Sequence, residues 1–201
     1  MLDVYYFIYA LQRMDLIALL MALPSITAII GIIVTRPLWM KIGRTKSTAI
    51  GYAGQGVCLL AIWAAGNVYN YENVPLIIAL HAIHGLFLFT VVIPMSMIPD
   101  AINYAEDKSG IRSDGISYSA VSFSTKFASA FGVSGALLML GATGYVANVE
   151  QTAQTVGGIN FTVNMMFLIA AFIAIIPALL YPLTEQQNAE IRARLDQKKI
   201  N

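Results

Sequence analysis

Residues 16–34 read LIALLMALPSITAIIGIIV, nineteen positions without a single charge. A helix rises 1.5 Å per residue, so this run reaches about 29 Å, the thickness of a bilayer's hydrocarbon core. No soluble core needs an apolar run of that length. Four more follow it: Ser47 to Ala65, Val74 to Ile98, Ile116 to Leu140, and Phe161 to Tyr181. Backbone polar groups have no water partner in lipid, so each run is expected to be helical throughout. A further stretch, Val4–Leu11, is too short to cross and reads as the end of a sixth span. The fold class expected is therefore an all-α polytopic membrane protein, with five full transmembrane helices plus the end of a sixth.

Composition agrees. Of the 201 residues, 58% are hydrophobic and 11% charged, with a mean hydropathy of +0.69. A soluble domain is about a quarter charged. The net charge of +1 gives no footprint for nucleic acid. The start, Met1 to Leu11, has neither the basic segment nor the cleavage site of a signal peptide. Cys58, the single cysteine, sits in an apolar run and reads as a small buried hydrophobe.

The connections alternate in charge. Thr35–Lys46 holds Arg36, Lys41, Arg44 and Lys46, Asp100–Gly115 holds Lys108 and Arg112, and the tail holds Arg192, Arg194, Lys198 and Lys199. Asn67–Asn73 and Ala147–Asn160 hold no lysine or arginine. Basic loops stay on the cytoplasmic side during insertion. Ten of the twelve basic residues thus mark one face, against Arg13 on the other, and the C-terminus is expected in the cytoplasm of a cell-membrane protein. The expected organisation is a bundle over residues 1–183, beginning with a truncated helix at 1–11, and a cytoplasmic tail over 184–201. Pro94 is expected to kink its span near the inner end.

The remaining basic residue, Lys126, lies inside a span. An ammonium at that depth costs a few kcal/mol by insertion scales (about 3), and such residues line a cavity or meet a partner. Tyr118, Ser122 and Lys126 recur every four residues and share one helical face, which Ser119, Thr125 and Ser129 widen. Hydroxyls and an amine suit a polyhydroxylated ligand. Asp3, beside Tyr5 and Tyr6, is a second intramembrane candidate for the same cavity. His81 and His84, three residues apart, have no third metal ligand on their helix and read as hydrogen-bonding groups between helices. The Asp100–Gly115 segment carries both signs of charge, and reads as a salt-bridged connection that latches the inner helix ends. Soluble-enzyme motifs are absent: there is no phosphate loop, Cys-x-x-Cys, His-Glu-x-x-His or nucleophile elbow. No catalytic role, metal or bound cofactor is expected.

The run DAINYAEDKSGIRSDG, residues 100–115, resembles the signature of the glycoside–pentoside–hexuronide:cation symporters, a melibiose-carrier-like branch of the major facilitator superfamily. The matching positions are Asp100, Tyr104, Glu106, Lys108, Gly110, Arg112 and Gly115. The following SFSTKFASAFG resembles the family's eleventh helix, with its lysine on Lys126, and Gly144–Asn148 with Gln154-Thr155 match further on. Asn103 stands where members often carry an acid, and Asp107 where an aromatic is common. The resemblance covers only the family's C-terminal half. It implies half of a major-facilitator bundle, symport of a sugar or glycoside with sodium or protons, and Lys126 in the sugar and cation region. It implies as partners the coupling cation, the lipid bilayer and a missing N-terminal half that carries the cation-binding acids, without which no transport is expected. A non-transporting membrane sensor or scaffold, or a truncated remnant of a carrier, is the alternative.

Overall fold

The computed structural model describes residues 3–200. The chain opens with α1 (Asp3–Tyr5), which widens into a π-helical turn over Tyr6–Ala10. After a break at Gln12, whose φ is +51°, a 3-10 turn at Met14–Leu16 leads into α2 (Ile17–Ile42). Gly43, at φ +84°, reverses the chain into α3 (Arg44–Val68). Then come α4 (Val74–Leu86), α5 (Val92–Ser109), α6 (Asp114–Ala142), α7 (Ala153–Leu180) and α8 (Glu185–Ile200). Among the described residues five stretches are long and apolar enough to cross a membrane, and no strand occurs.

The helices outrun their apolar runs. α2 continues to Ile42 through Arg36 and Lys41, because a helix need not stop where its side chains turn polar. α7 starts at Ala153, eight residues before the expected span, with the Thr152 hydroxyl accepting from the Thr155 amide at 3.2 Å.

The expected span from Val74 to Ile98 is not one straight helix. α4 ends at Leu86, a 3-10 turn covers Leu88–Val91, and α5 begins at Val92. The break lies upstream of Pro94. That proline falls in the first turn of α5, where a missing N–H costs nothing, and so produces no internal kink. Polar groups freed by the break are met from α3: the Gln55 amide donates to the Phe87 carbonyl at 3.0 Å and to the Thr90 hydroxyl. Irregular backbone at membrane depth survives only with such partners.

Glycines set the crossing of α2 and α4. A Cβ on Gly31 would meet the Leu86 backbone, and one on Gly85 would lie 2.6 Å from Pro24 Cα. Two helices can approach this closely only through small residues. α3 and α7 pack along their lengths, tied by Asn160 donating to the Trp63 carbonyl at 3.1 Å, while Asn164, one turn along α7, orients Asn160 by donating to its side-chain oxygen at 2.9 Å. At the end opposite the basic connections, Tyr6, Phe7, Leu20, Ile62, Ile77 and Ile159 form the main core. At the basic end Phe89, Ile93 and Met97 form a smaller one.

α6 is among the least covered helices. Only Ala136 and Leu140 are buried along its 29 residues, and of its most apolar stretch 11% is buried, the same as for the span containing α2, against 44% for α3.

Candidate functional site

Lys126 is the thirteenth residue of α6, about 18 Å along the axis from Asp114 and about 24 Å from Ala142. That is mid-membrane depth. Because α6 is regular across this region, Tyr118, Ser122 and Lys126 do fall on one face, and all three are exposed. Ser119 and Ser129 are exposed as well, and Thr125 spends its hydroxyl proton on the Val121 carbonyl at 2.9 Å. Among the described residues neither Ser122 nor Lys126 has a protein partner. On α6 the aromatic rings make a ladder of their own: Phe123 to Phe127 at 5.8 Å and Phe127 to Phe131 at 4.3 Å between centroids.

Asp3 is half-buried at the start of the chain and acts electrostatically on His81 and His84 of α4. The histidines do not form the hydrogen bond between helices that their spacing suggests for His81. Its Nδ1 lies 2.8 Å from the Ile77 carbonyl of the same helix, and its ring packs against Phe7 at 5.5 Å and Tyr6 at 6.4 Å. Among the described residues no group of three or more His, Cys, Asp and Glu is placed to hold a metal ion.

The charged segment differs most from its expected form. Asp100–Gly115 is not a loop: α5 runs through it to Ser109, and Gly110, at φ +73°, caps the helix in the left-handed conformation. Asp100 is consequently buried, at 1% exposure. A buried carboxylate is tolerable only when its charge and lone pairs are met. Here Arg44 from α3 and Arg192 from α8 each donate to it, and Asn188 donates at 3.2 Å. Arg44 also grips Glu185 with two bonds of 2.6 and 2.9 Å, and donates to the Ser96 carbonyl at 3.1 Å. One node therefore joins α3, α5 and α8.

A second pair lies further along α5. Asp107 accepts from Arg194 at 2.6 Å and has Lys198 at 3.5 Å. Hydrogen bonding to Asp107 holds the Arg194 guanidinium above its ordinary pKa. Arg112 meets Asp114 at 2.6 Å, Glu106 at 2.8 Å and Asn103 at 3.1 Å, and Asp114 first, then Glu106, raises its pKa too. Lys108 lies over the Tyr104 ring at 5.8 Å.

Of the five predicted latch residues, Glu106 and Arg112 pair with each other, Tyr104 and Lys108 stack, and Asp100 turns away to Arg44 and Arg192. Read from the sequence, Arg192 and Arg194 mark orientation only, Asn188 has no assigned contact, and Asp107 belongs to the salt-bridged segment without a named partner. A signal was present: Asn188, Ile191 and Leu195 repeat at helical spacing, and all three are buried on the side of α8 that meets α5.

Residues 1–185 match the family described as MFS/sugar transport protein. The chain is 29% identical to a glucuronide carrier protein homolog of Escherichia coli K12, over 98% of this chain and 43% of that protein. It is 32% identical to the uncharacterized symporter YjmB of Bacillus subtilis 168, over 97% and 42%. It is 27% identical to an isoprimeverose transporter of Lactiplantibacillus pentosus, over 97% and 40%. The chain thus spans about two-fifths of the length of these curated relatives.

Proposed function

The chain belongs to the MFS/sugar transport protein family, in its glycoside–pentoside–hexuronide:cation symporter branch, and from that premise we propose that it forms the C-terminal half of a carrier moving a sugar or glycoside together with sodium or a proton. The family is one of transporters and not of enzymes. The observation that carries the proposal is the exposed polar stripe on α6: an amine at mid-membrane depth, flanked by hydroxyls, on a helix that its own bundle scarcely covers. An intramembrane lysine with no protein partner is costly against lipid and affordable against an aqueous sugar cavity. Carriers of this architecture bind near mid-membrane, between two bundles.

In this reading Lys126 donates to substrate hydroxyls, and its charge repels or admits the coupling cation according to which groups are filled. Ser122 and Tyr118 line the path toward the charged end. Asp3 contributes from the first helix. The acids that hold the cation belong to the second bundle, and the charge of the basic connections supports a cytoplasmic charged end and C-terminus in a cell-membrane carrier. The Asp100, Glu106 and Arg112 pairs, with Tyr104 and Lys108, set the inner helix ends in one of two arrangements. Such networks bias states that differ by a few kcal/mol (about 1–3).

The test is uptake of labelled melibiose, xyloside and glucuronide in cells expressing this chain with and without an N-terminal half from the family. Uptake is expected only with both halves, and is expected to fall at least tenfold in Lys126→Ala. A stable chain that supports no uptake in any pairing would instead favour a membrane sensor or scaffold.

A further inference from the structure

A cavity of about 490 Å³ opens at the end opposite the basic connections, between the end of the first helix and the α6–α7 connection. Small-molecule sites fall in the range of about 300–1,000 Å³. Ile8, Met14 and Val149 give the cavity an apolar wall, and Tyr9, Gln12, Asn148 and Glu150 supply polar groups. Gln12, Asn148 and Glu150 all lie in connections, beyond the apolar runs. Lys126 is about 24 Å down α6 from Ala142, so this cavity is separate from the α6 stripe.

The walls are held in place. Gln151 folds the connection onto itself, donating to the Val146 and Val149 carbonyls at 2.6 and 2.7 Å and accepting from the Val146 amide at 3.4 Å. The Tyr9 hydroxyl ties this connection to the first helix, accepting from the Asn148 backbone amide at 3.3 Å and the Tyr145 hydroxyl at 3.1 Å. Its ring stands edge-on to Tyr145, with centroids 5.2 Å apart. Gln12 and Asn148 both hold left-handed backbone, at φ +51° and +62°. That conformation is uncommon for a glutamine and is kept only where the surroundings fix it. Among the described residues the side-chain amides of Gln12 and Asn148 and the Glu150 carboxylate have no hydrogen-bond partner, and the Tyr9 hydroxyl proton has no acceptor.

A pyranose ring presents faces of C–H groups and a rim of hydroxyls that both donate and accept. Amides offer donors and an acceptor together, and a carboxylate accepts from neighbouring hydroxyls. Two amides, a carboxylate and a phenol proton beside an apolar wall therefore match both the rim and the face. Charge adds a distinction, because Glu150 lines the cavity and no lysine or arginine does. Arg13, next to Gln12, is taken by Asp15 through two bonds of 2.8 and 2.7 Å. A uronate would meet the Glu150 charge uncompensated, and like charges set together are disfavoured. Resting on the sugar-carrier reading above, we propose that this cavity is a second sugar site, one that docks a neutral glycoside on Gln12, Asn148, Glu150 and Tyr9. In the orientation proposed for the carrier it opens on the outer side, where a sugar arrives before it reaches the α6 stripe.

The experiment is saturation-transfer difference NMR on the purified chain in nanodiscs, with methyl xyloside as the neutral probe and methyl glucuronide as the acidic one. The xyloside signal is expected to exceed the glucuronide signal about threefold or more. Gln12→Gly with Asn148→Gly removes both amides while favouring the left-handed backbone, and should cut the xyloside signal about fivefold or more. Glu150→Gln keeps an acceptor without the charge, and should raise the glucuronide signal to that of the xyloside. A gain of that kind cannot come from an unfolded chain. No xyloside signal, equal signals for the two probes on the parent chain, or a glucuronide signal unmoved by Glu150→Gln would overturn the proposal. Xyloside contact that survives the double glycine variant and is lost in Lys126→Ala would overturn this site while leaving the proposed function standing. Docking that depends on Gln12 and Asn148, with no uptake in any pairing of halves, would support the site and count against the carrier reading.

Discussion

Removing the charge of Asp100 while keeping its shape, as in Asp100→Asn, leaves Arg44 and Arg192 facing each other across a buried position. Breaking a buried pair by deleting one partner costs about 3–5 kcal/mol. Arg192 is 55% exposed along its side chain and keeps much of its hydration, so the expected loss is nearer 2–3 kcal/mol. Arg192→Ala, which leaves Asp100 with Arg44 and Asn188, is expected to cost about 1 kcal/mol or less. Unfolding in detergent micelles measures both, and equal effects would mean that Asp100 is not the shared node. The two departures from the family signature also find partners at this scale. Asn103 accepts from Arg112, and Asp107 takes Arg194 and Lys198. Their neighbours α8 and Arg112 supply the complementary charge, which no inspection of the signature itself could disclose.

The crossing of α2 and α4 gives a contrast between glycines. Gly31 has the Leu86 backbone where a Cβ would stand, and backbone cannot swing aside as a side chain can. Gly132 of α6 has nothing within 4 Å. Gly31→Ala is therefore expected to destabilise by about 1–3 kcal/mol, the usual cost of overpacking. Gly132→Ala should leave the isolated chain unchanged or slightly more stable, alanine being the better helix former. Thermal unfolding of the two variants in the same detergent decides the matter, and comparable losses would argue against the close crossing. Both glycines look alike in sequence, as small residues within apolar runs. Only the facing helix separates a contact from an open surface.

An exposed α6 has consequences for the molecule as a whole. If a second bundle meets its polar stripe across an aqueous cavity, a thiol at Ser122 should face lipid in the chain alone and water in the paired carrier. Cys58 is buried, so Ser122→Cys in a Cys58→Ser background gives a single reporter. A membrane-impermeant maleimide reacts only with a water-exposed thiolate, so it is expected to label this thiol at least fivefold faster once an N-terminal half is co-expressed. Sugar should slow that reaction. Equal labelling with and without the second half would place the stripe outside any shared cavity. The same logic explains why the charged end holds together without a partner: its ion pairs join α3, α5 and α8 of this chain, not an absent surface.

The amino-acid sequence alone determined the membrane environment, the five spans and the polarity of the ends, because in lipid each helix satisfies its own backbone and each connection declares its charge locally. It also determined that Lys126, Ser122 and Tyr118 share a face, since helical periodicity needs no second element. Tertiary structure decided what depends on groups remote in the chain. It broke the third span at Leu88–Val91, where Gln55 arrives from α3 to meet the freed carbonyl. It extended α5 through the presumed loop and buried Asp100 between Arg44, 56 residues before it, and Arg192, 92 residues after it. Periodicity fixes which way a side chain faces, but the partner it meets is set by the packing of helices against one another.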